Sequence, residues 1–457
     1  MKKIASLLII IAIISSLVSC DGLFSKAAIN GVKLKNFSIV YSESDADYSK
    51  RAAEYIHDEI LERAGLDLHV VTDADPRPTK YEIVVGNTNR PISEILDEET
   101  EGVQFSILAD DSAVALEGDY FVIAAAAYYF VETYVQDGNF SAEIPKEARV
   151  LEPIVKEAKN FIMLIGDGMG VNQTLLFDHL KNDIEYGDGE DLFYGYMLPY
   201  MGYSRTDSLS GTTDSAAGGT ALASGYKTVN GYVGLDENKE SVTLLTELFA
   251  SMGKATAVMS TEKKSGATPS SFSAHVDSRD KTTELVSSQL ALSSKYGTII
   301  NCGYDYYTSK KVAEIEKNIS DTLDTVSADE DGFFIMYEEA HIDKHCHKND
   351  MENTFKAVVR FNQAIARFME FAFYNPDTFV LITADHETGG LTLGDDGNLV
   401  YTVLDEHTSA DVPVFVWGNG GELFNGVTME NIQIPMTIAS FVGVSNFGDQ
   451  SEYQYLK

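Results

Sequence analysis

Ser215 directly follows Asp214 in "TTDSAAGGTALASGYKT" (212–228), where hydroxyls and a carboxylate give way to small residues with helix-forming spacing. Thr213 and Asp214 are ordinary helix-capping types, and a small serine in a first turn needs no chemistry. The same arrangement also sets a hydroxyl at the positive end of a helix, where an anion is stabilised. Other residues decide between the two. Carboxylates and imidazoles collect at the ends of apolar runs: "FIMLI" leads to Gly166-Asp167-Gly168, "GFFIMY" to Glu338 and then Asp343, and "TFVLITA" to Asp385-His386. A fourth run, "VPVFVWG", is preceded by "EHTSAD" and so by His407. Asp343 and His347 are four apart in "DKHCH", one helical turn, which puts both on one face. Five of the nine histidines lie between 341 and 407, interleaved with Asp and Glu. Mixed carboxylate and imidazole ligands suit Zn²⁺, and an additional oxygen-rich set suits Mg²⁺. His341 and His345 are not required as ligands.

In open α/β sheets functional groups sit beyond the carboxyl ends of the strands, and the runs just named follow that rule. From residue 156 to 457 apolar runs alternate with helical segments, which predicts a mostly parallel central sheet flanked by helices. "EPIVKEAKN" (152–160) reads as a boundary. Before it, residues 32–153 read as a smaller N-terminal α/β domain. Its strands are "FSIVYS", "LHVVTD" and "YEIVVGN", its helices "DYSKRAAEYIHDEILERAG" and "YFVIAAAAYYFVETYV", with a hairpin in "VQFSILADDSAVALEG". His57 and His69 there show no carboxylate constellation and read as structural. The stretch 281–327 has the weakest pattern and reads as a surface excursion.

The first residues, "MKKIASLLIIIAIISSLVSC", set Lys2 and Lys3 before an apolar run that is too short and wrongly flanked for a membrane span, so 1–19 read as a secretory signal peptide. Leu17-Val18-Ser19-Cys20 resembles the bacterial lipobox. That resemblance implies cleavage before Cys20, lipidation of Cys20, a tether over 20–31, and an exported protein lipid-anchored at the bacterial cell envelope, facing the periplasm or the cell surface. Only Cys302 and Cys346 then remain, too few for a disulfide framework. The chain is 44% hydrophobic with a net charge of −36, which becomes −38 once Lys2 and Lys3 leave with the leader. Such a charge argues against a nucleic-acid-binding surface and against anionic lipid as a partner. An anionic substrate would need local cations to reverse the field, and metal ions are the evident means.

From about Asn160 onward the chain resembles the bacterial alkaline phosphatase family. The resemblance rests on "IGDGMG", "TTDSAAGGTA", "GATPSSFSAHVDSR", "EEAHIDKHCH", "TADHETGG" and "EHTSADVPVFVWG", which occur in the family's order. It implies an alkaline-phosphatase-like fold and metal-dependent hydrolysis of small-molecule phosphate monoesters at alkaline pH through a phosphoserine intermediate. Residue by residue, Ser215 matches the nucleophile and Arg279 the phosphate-binding arginine, with Asp214 orienting it. Asp343, His347 and His407 match a first zinc site, Asp167, Asp385 and His386 a second. Asp167, Thr268 and Glu338 match a magnesium site, so the resemblance implies two Zn²⁺ and one Mg²⁺. Lys344 matches a lysine that contacts phosphate through water, or is an ordinary solvated lysine. His275 carries no family role and reads as structural. A homodimer is the assembly the family offers.

One departure stands out: Gly266 replaces the aspartate or histidine that members carry two residues before the threonine, so an outer-shell group for the magnesium site is missing. The N-terminal domain resembles, diffusely, the noncatalytic domain that precedes the barrel in some glycoside hydrolases, on "YEIVVGNTNR" and element order. Two alternatives stand beside the phosphomonoesterase. A phosphodiesterase of the same superfamily would generally use threonine and lack the third metal site; a sulfatase would need Pro and Arg after its modified residue, which "DSAAGGT" lacks. A noncatalytic lipoprotein binding phosphate or glycans would be expected to have lost Ser215 or some ligands.

Overall fold

The apolar runs become strands in a computed structural model, which describes residues 26–44, 46–75, 79–96, 100–180, 192–303, 309–395 and 397–457. The stretch read as a signal peptide, Cys20 and residues 21–25 of the expected tether lie outside the described residues; the rest of that stretch is not a free tether, since Ala27 and Ile29 are buried and Ala28–Ile29 pairs with Ser141–Ala142. The chain divides between Ile154 and Val155 into two compact units.

The smaller unit is built on a six-stranded sheet. Its strands are β1 (Phe37–Tyr41), β2 (Val70–Thr72), β3 (Tyr81–Val85), β4 (Phe105–Ala109), β5 (Ala113–Glu117) and β6 (Arg149–Leu151), in the order β2-β1-β3-β5-β4-β6. The first four in that order run parallel, and β4 pairs antiparallel with both β5 and β6. Two helices, α1 (Ala46–Ala64) and α2 (Ile123–Tyr134), pack against one another. The alanines 124–127 are fully buried there, small side chains that let helix and sheet approach closely. His57 does have carboxylates beside it, Asp58 at 2.8 Å and Asp67 at 3.1 Å, which the sequence reading missed. Both carboxylates are solvent-exposed, so this is a surface ion pair.

The larger unit carries an eight-stranded sheet: β7 (Asn160–Gly166), β8 (Tyr200–Arg205), β9 (Ala255–Ser260), β10 (Ile299–Cys302), β11 (Phe333–Glu339), β12 (Thr378–Thr383), β13 (Val412–Trp417) and β14 (Thr428–Glu430). The order is β10-β9-β11-β7-β12-β13-β8-β14. Only β13 is reversed, antiparallel to β12 and to β8. This is the expected mostly parallel sheet. Its central strands are near-continuous apolar because helices cover both faces. On β7, Phe161, Met163 and Ile165 point into a core with Phe249, Phe272, Phe334 and Phe379, all fully buried. Truncating one such phenylalanine to alanine costs about 3–5 kcal/mol.

The described helices of this unit include α3 (Ser215–Ser224), α4 (Ala267–Ser271), α5 (Thr282–Tyr296), α6 (Ser309–Val326), α7 (His341–Cys346) and α8 (Met351–Tyr374). Along α8 the buried residues Phe355, Val358, Phe361, Ile365, Phe368 and Ala372 recur every three or four positions, the stripe of a helix laid on a sheet. The stretch 281–327 is mostly regular over its described residues. It holds α5, the edge strand β10 and α6. Its pattern was faint because α5 buries only Leu285 and Gln289, and β10 is a half-buried edge strand of four residues. Cys302 and Cys346 are free thiols, and burial pushes Cys346 up to about 12, so it stays protonated. Among the described residues no helix is long and apolar enough to cross a membrane.

Candidate functional site

The carboxyl edge of the large sheet gathers the chemistry. Asp167 follows β7, Glu338 ends β11 with Asp343 one turn on in α7, and Asp385-His386 follow β12. His407 precedes β13, and because β13 runs backwards its start lies at the same edge. A further pairing of Glu387–Thr388 with His407–Thr408 sets Thr388 opposite His407. Gly168 makes the junction fit. Its φ is +74°, and a Cβ there would stand 2.8 Å from both the Asp343 Cα and Thr388 Oγ1.

Ser215 opens α3, whose ten residues are all buried. Asp214 is its N-cap: one carboxylate oxygen accepts from the Ala217 N–H at 3.0 Å, and both accept from the Gly231 N–H. The other face of the same carboxylate holds Arg279, whose guanidinium donates to Oδ2 at 3.1 Å. Burial disfavours the Arg279 charge, but the Asp214 carboxylate outweighs it and secures the cation. Asp214 is thus a cap and an arginine clamp together. Ser215 Oγ lies 3.2 Å from His386 Nε2.

Two ligand groups converge beside the serine. In the first, His347 Nε2 and His407 Nε2 are 3.1 Å apart and lie 3.2 and 3.5 Å from Asp343 Oδ1. His407 Nδ1 is 2.8 Å from the Thr213 carbonyl oxygen, which can only accept, so Nδ1 carries the proton and Nε2 offers a lone pair. Asp405 Oδ1 lies 3.1 Å from His347 Nδ1 without the alignment of a hydrogen bond. Two imidazole nitrogens and a carboxylate oxygen converging this closely are donors of the kind that hold a cation. Thr388 Oγ1 donates to Asp343 Oδ1 at 2.6 Å and fixes it. Burial alone would raise the Asp343 carboxyl, but the His347 hydrogen bond and the neighbouring imidazoles hold it well below the usual range.

In the second group, His386 Nε2 lies 3.5 Å from Asp167 Oδ1 and 3.3 Å from Asp385 Oδ2. Both oxygens are buried without a hydrogen-bond partner. Burial first, then mutual repulsion with Asp343 and Glu338, raises both carboxyls well above their ordinary values. Burial also pushes the His386 ring well below its usual value, leaving it a neutral donor atom. Its ring stacks on His407 with centroids 3.6 Å apart, so His386 borders both groups. These are the donors a metal centre needs, held where nothing else satisfies them.

Glu338 lies near enough to Asp167 to raise its carboxyl, and Thr268 neighbours Glu338. Both are fully buried, and neither Glu338 Oε1 nor Thr268 Oγ1 has a well-formed hydrogen bond. Glu338 Oε2 accepts from Ser260 Oγ. Burial and then the charge of Glu262 raise the Glu338 carboxyl to about 7. Lys344 is half-exposed and pairs with Glu262 at 3.0 Å. His341 sits beside Glu339 and Thr261, away from both groups, and His275 pairs with Glu247.

Ser215, Asp167, Asp343, His347, Asp385, His386 and His407 therefore lie together at one sheet edge, while His275 and His341 stand apart. The sequence reading missed Glu262, Ser260, Thr388, Asp405 and the Thr213 carbonyl. For Thr388 the alternation after Asp385-His386 was the available signal; a backbone carbonyl leaves none.

A family model described as alkaline phosphatase matches residues 158–303 and 307–405. Curated relatives include alkaline phosphatase 4 of Bacillus subtilis, 30% identical over 294 residues, and alkaline phosphatase 3 of the same bacterium, 28% identical over 293. Each match takes in 53% of this chain and only 64% and 63% of the relatives' own lengths. Among solved structures, the alkaline phosphatase of the Antarctic bacterium TAB5 is similar with a TM-score of 0.55 at 24% identity, over 63% of this chain and 99% of that one, a likeness of fold. A variant of the TAB5 enzyme with Mg bound in its M3 site matches over the same shares at 25% identity and a TM-score of 0.55.

Proposed function

Because this chain belongs to the alkaline phosphatase family, we propose that it hydrolyses phosphate monoesters through a phosphoserine on Ser215. The observation that carries the reading is Ser215 Oγ at the start of a buried helix, 3.2 Å from His386 Nε2, with the Arg279–Asp214 clamp beside it. Asp343, His347 and His407 would hold one Zn²⁺, Asp167, Asp385 and His386 a second, and Asp167, Thr268 and Glu338 an Mg²⁺. When bound, such cations favour the serine alkoxide, neutralise departing oxygens and lower the pKa of water.

The protein's own groups do the rest. Ser215 Oγ attacks phosphorus as the ester P–O bond breaks and the alcohol leaves; water then attacks phosphorus, the Ser215 O–P bond breaks and inorganic phosphate departs. Through both steps the Arg279 fork can grip two nonbridging oxygens. Asp214 holds that fork in place, and the α3 N-terminus contributes partial positive charge. Positioning and charge neutralisation are what phosphoryl transfer chiefly requires.

The test is turnover of p-nitrophenyl phosphate against bis-p-nitrophenyl phosphate by metal-loaded protein, with Ser215→Ala in parallel. Monoester turnover that falls by about 10³-fold or more in the variant is expected; preference for the diester would make the enzyme a phosphodiesterase. The Lys2-Lys3 leader and the Leu17–Cys20 motif further support export and a lipid anchor at Cys20. Mass spectrometry of the mature N-terminus should find an acylated Cys20, and an unmodified or uncleaved one would remove the anchor.

A further inference from the structure

Gly266 has no need to be glycine for its backbone. Its φ of −60° and ψ of 155° are open to any residue, so what marks the position is the volume a side chain would take. That space is taken. A Cβ on residue 266 would fall against Glu262 Oε2 and only 2.8 Å from Glu262 Cδ. Glu262 reaches it from just beyond β9. Its N–H donates to Ser260 Oγ at 2.8 Å, and that hydroxyl donates to Glu338 Oε2, so the turn bearing Glu262 is tied to the floor of the site. The charge of Glu262 acts on both Glu338 and Asp167, and Thr268 follows Gly266 by two residues; Thr268 Oγ1, Glu338 Oε1 and Asp167 Oδ1 are all buried and lack a well-formed hydrogen bond.

We propose that Glu262 supplies the carboxylate of the third cation position, together with Asp167, Thr268 and Glu338, by occupying the place that a side chain on residue 266 would fill. This deepens the phosphatase reading and rests on it. Lys344 is then a counter-charge 3.0 Å from Glu262 Oε1 whose field also reaches Glu338 and Asp167, and Oε2 is the oxygen lying over Gly266. Glu262 also bears on its neighbours, as its charge is among those that raise Glu338 and Asp167.

The experiment measures Mg²⁺ affinity and stoichiometry by equilibrium dialysis with elemental analysis, in full-length protein saturated with Zn²⁺. It is read together with the Mg²⁺-dependent rise in melting temperature. One Mg²⁺ beyond two Zn²⁺ is expected in the wild type. Glu262→Ala and the isosteric Glu262→Gln should each weaken Mg²⁺ binding about 10- to 100-fold with both Zn²⁺ retained. Adding Gly266→Asp to Glu262→Ala should restore much of the loss, since the new carboxylate enters the vacated space. Lys344→Ala should leave Mg²⁺ binding the same or tighter. The proposal is overturned if the wild type takes up no third cation, if both Glu262 variants bind Mg²⁺ within two-fold of wild type, or if Lys344→Ala weakens it as much as they do. Failure of the phosphatase reading is separate: it shows as no Ser215-dependent monoester turnover, whatever the Mg²⁺ binding.

Discussion

At the residue scale, one carboxylate can serve structure and chemistry together. Asp214 caps α3 and clamps Arg279, so its geometry is set by two N–H donors before any substrate arrives. Arg279→Lys keeps the charge but loses the planar fork; kcat/KM for p-nitrophenyl phosphate should fall about 100-fold, with KM raised. His275 shows a residue without a catalytic part. Its Nδ1 donates to the Gly234 carbonyl at 2.7 Å and its Nε2 faces Glu247 at 3.3 Å, so both nitrogens have acceptors and the ring is held as the cation. Burial works against that charge, but the Glu247 and Gly234 hydrogen bonds raise the ring above its ordinary value. A histidine raised in the folded state stabilises fully below its unfolded value of about 6.5 and ceases to as pH climbs through the raised value. His275→Gln should therefore cost about 1–2 kcal/mol at pH 6 and measurably less at pH 9. Urea melts at the two pH values check the sign.

At the element scale, strand direction decides who meets whom. Asp167, Glu338 and Asp385-His386 reach the site from the carboxyl ends of β7, β11 and β12, and His407 joins them only because β13 is reversed. Helix α3 must also lie close. A Cβ on Gly218 would stand 2.8 Å from the Asp385 carbonyl oxygen, a backbone atom that cannot swing aside. Gly218→Ala should push the Ser215 turn away from His386 and lower kcat at least 10-fold while the fold survives, because sub-ångström placement governs such reactions. A variant with wild-type kcat would show that the helix has slack there. The edge strand β10 and its flanking helices were obscure in the sequence, since half-exposed elements carry little hydrophobic periodicity.

At the scale of the whole molecule, a chain of net charge −36 concentrates buried carboxylates at one edge, where Arg279 and Lys344 are counter-charges to Asp214 and Glu262. Cations bound to the folded state alone must then stabilise it by mass action. Chelation should lower the melting temperature by about 10 °C or more, on the order of several kcal/mol, and Zn²⁺ should restore most of it. An unchanged melt after verified metal removal would mean that the carboxylates are neutralised by protons instead.

Sequence alone determined the ligand types and the strand-end positions of Asp167, Glu338, Asp385 and His386, because an apolar run followed by an acid is a local signal. It determined Ser215 after its cap for the same reason. Tertiary structure decided which nitrogen of His407 faces inward, since Thr213 is remote in the chain from the ring it orients. It also decided that the gap at Gly266 is filled by Glu262: an absent side chain has no meaning until the fold shows what occupies its volume.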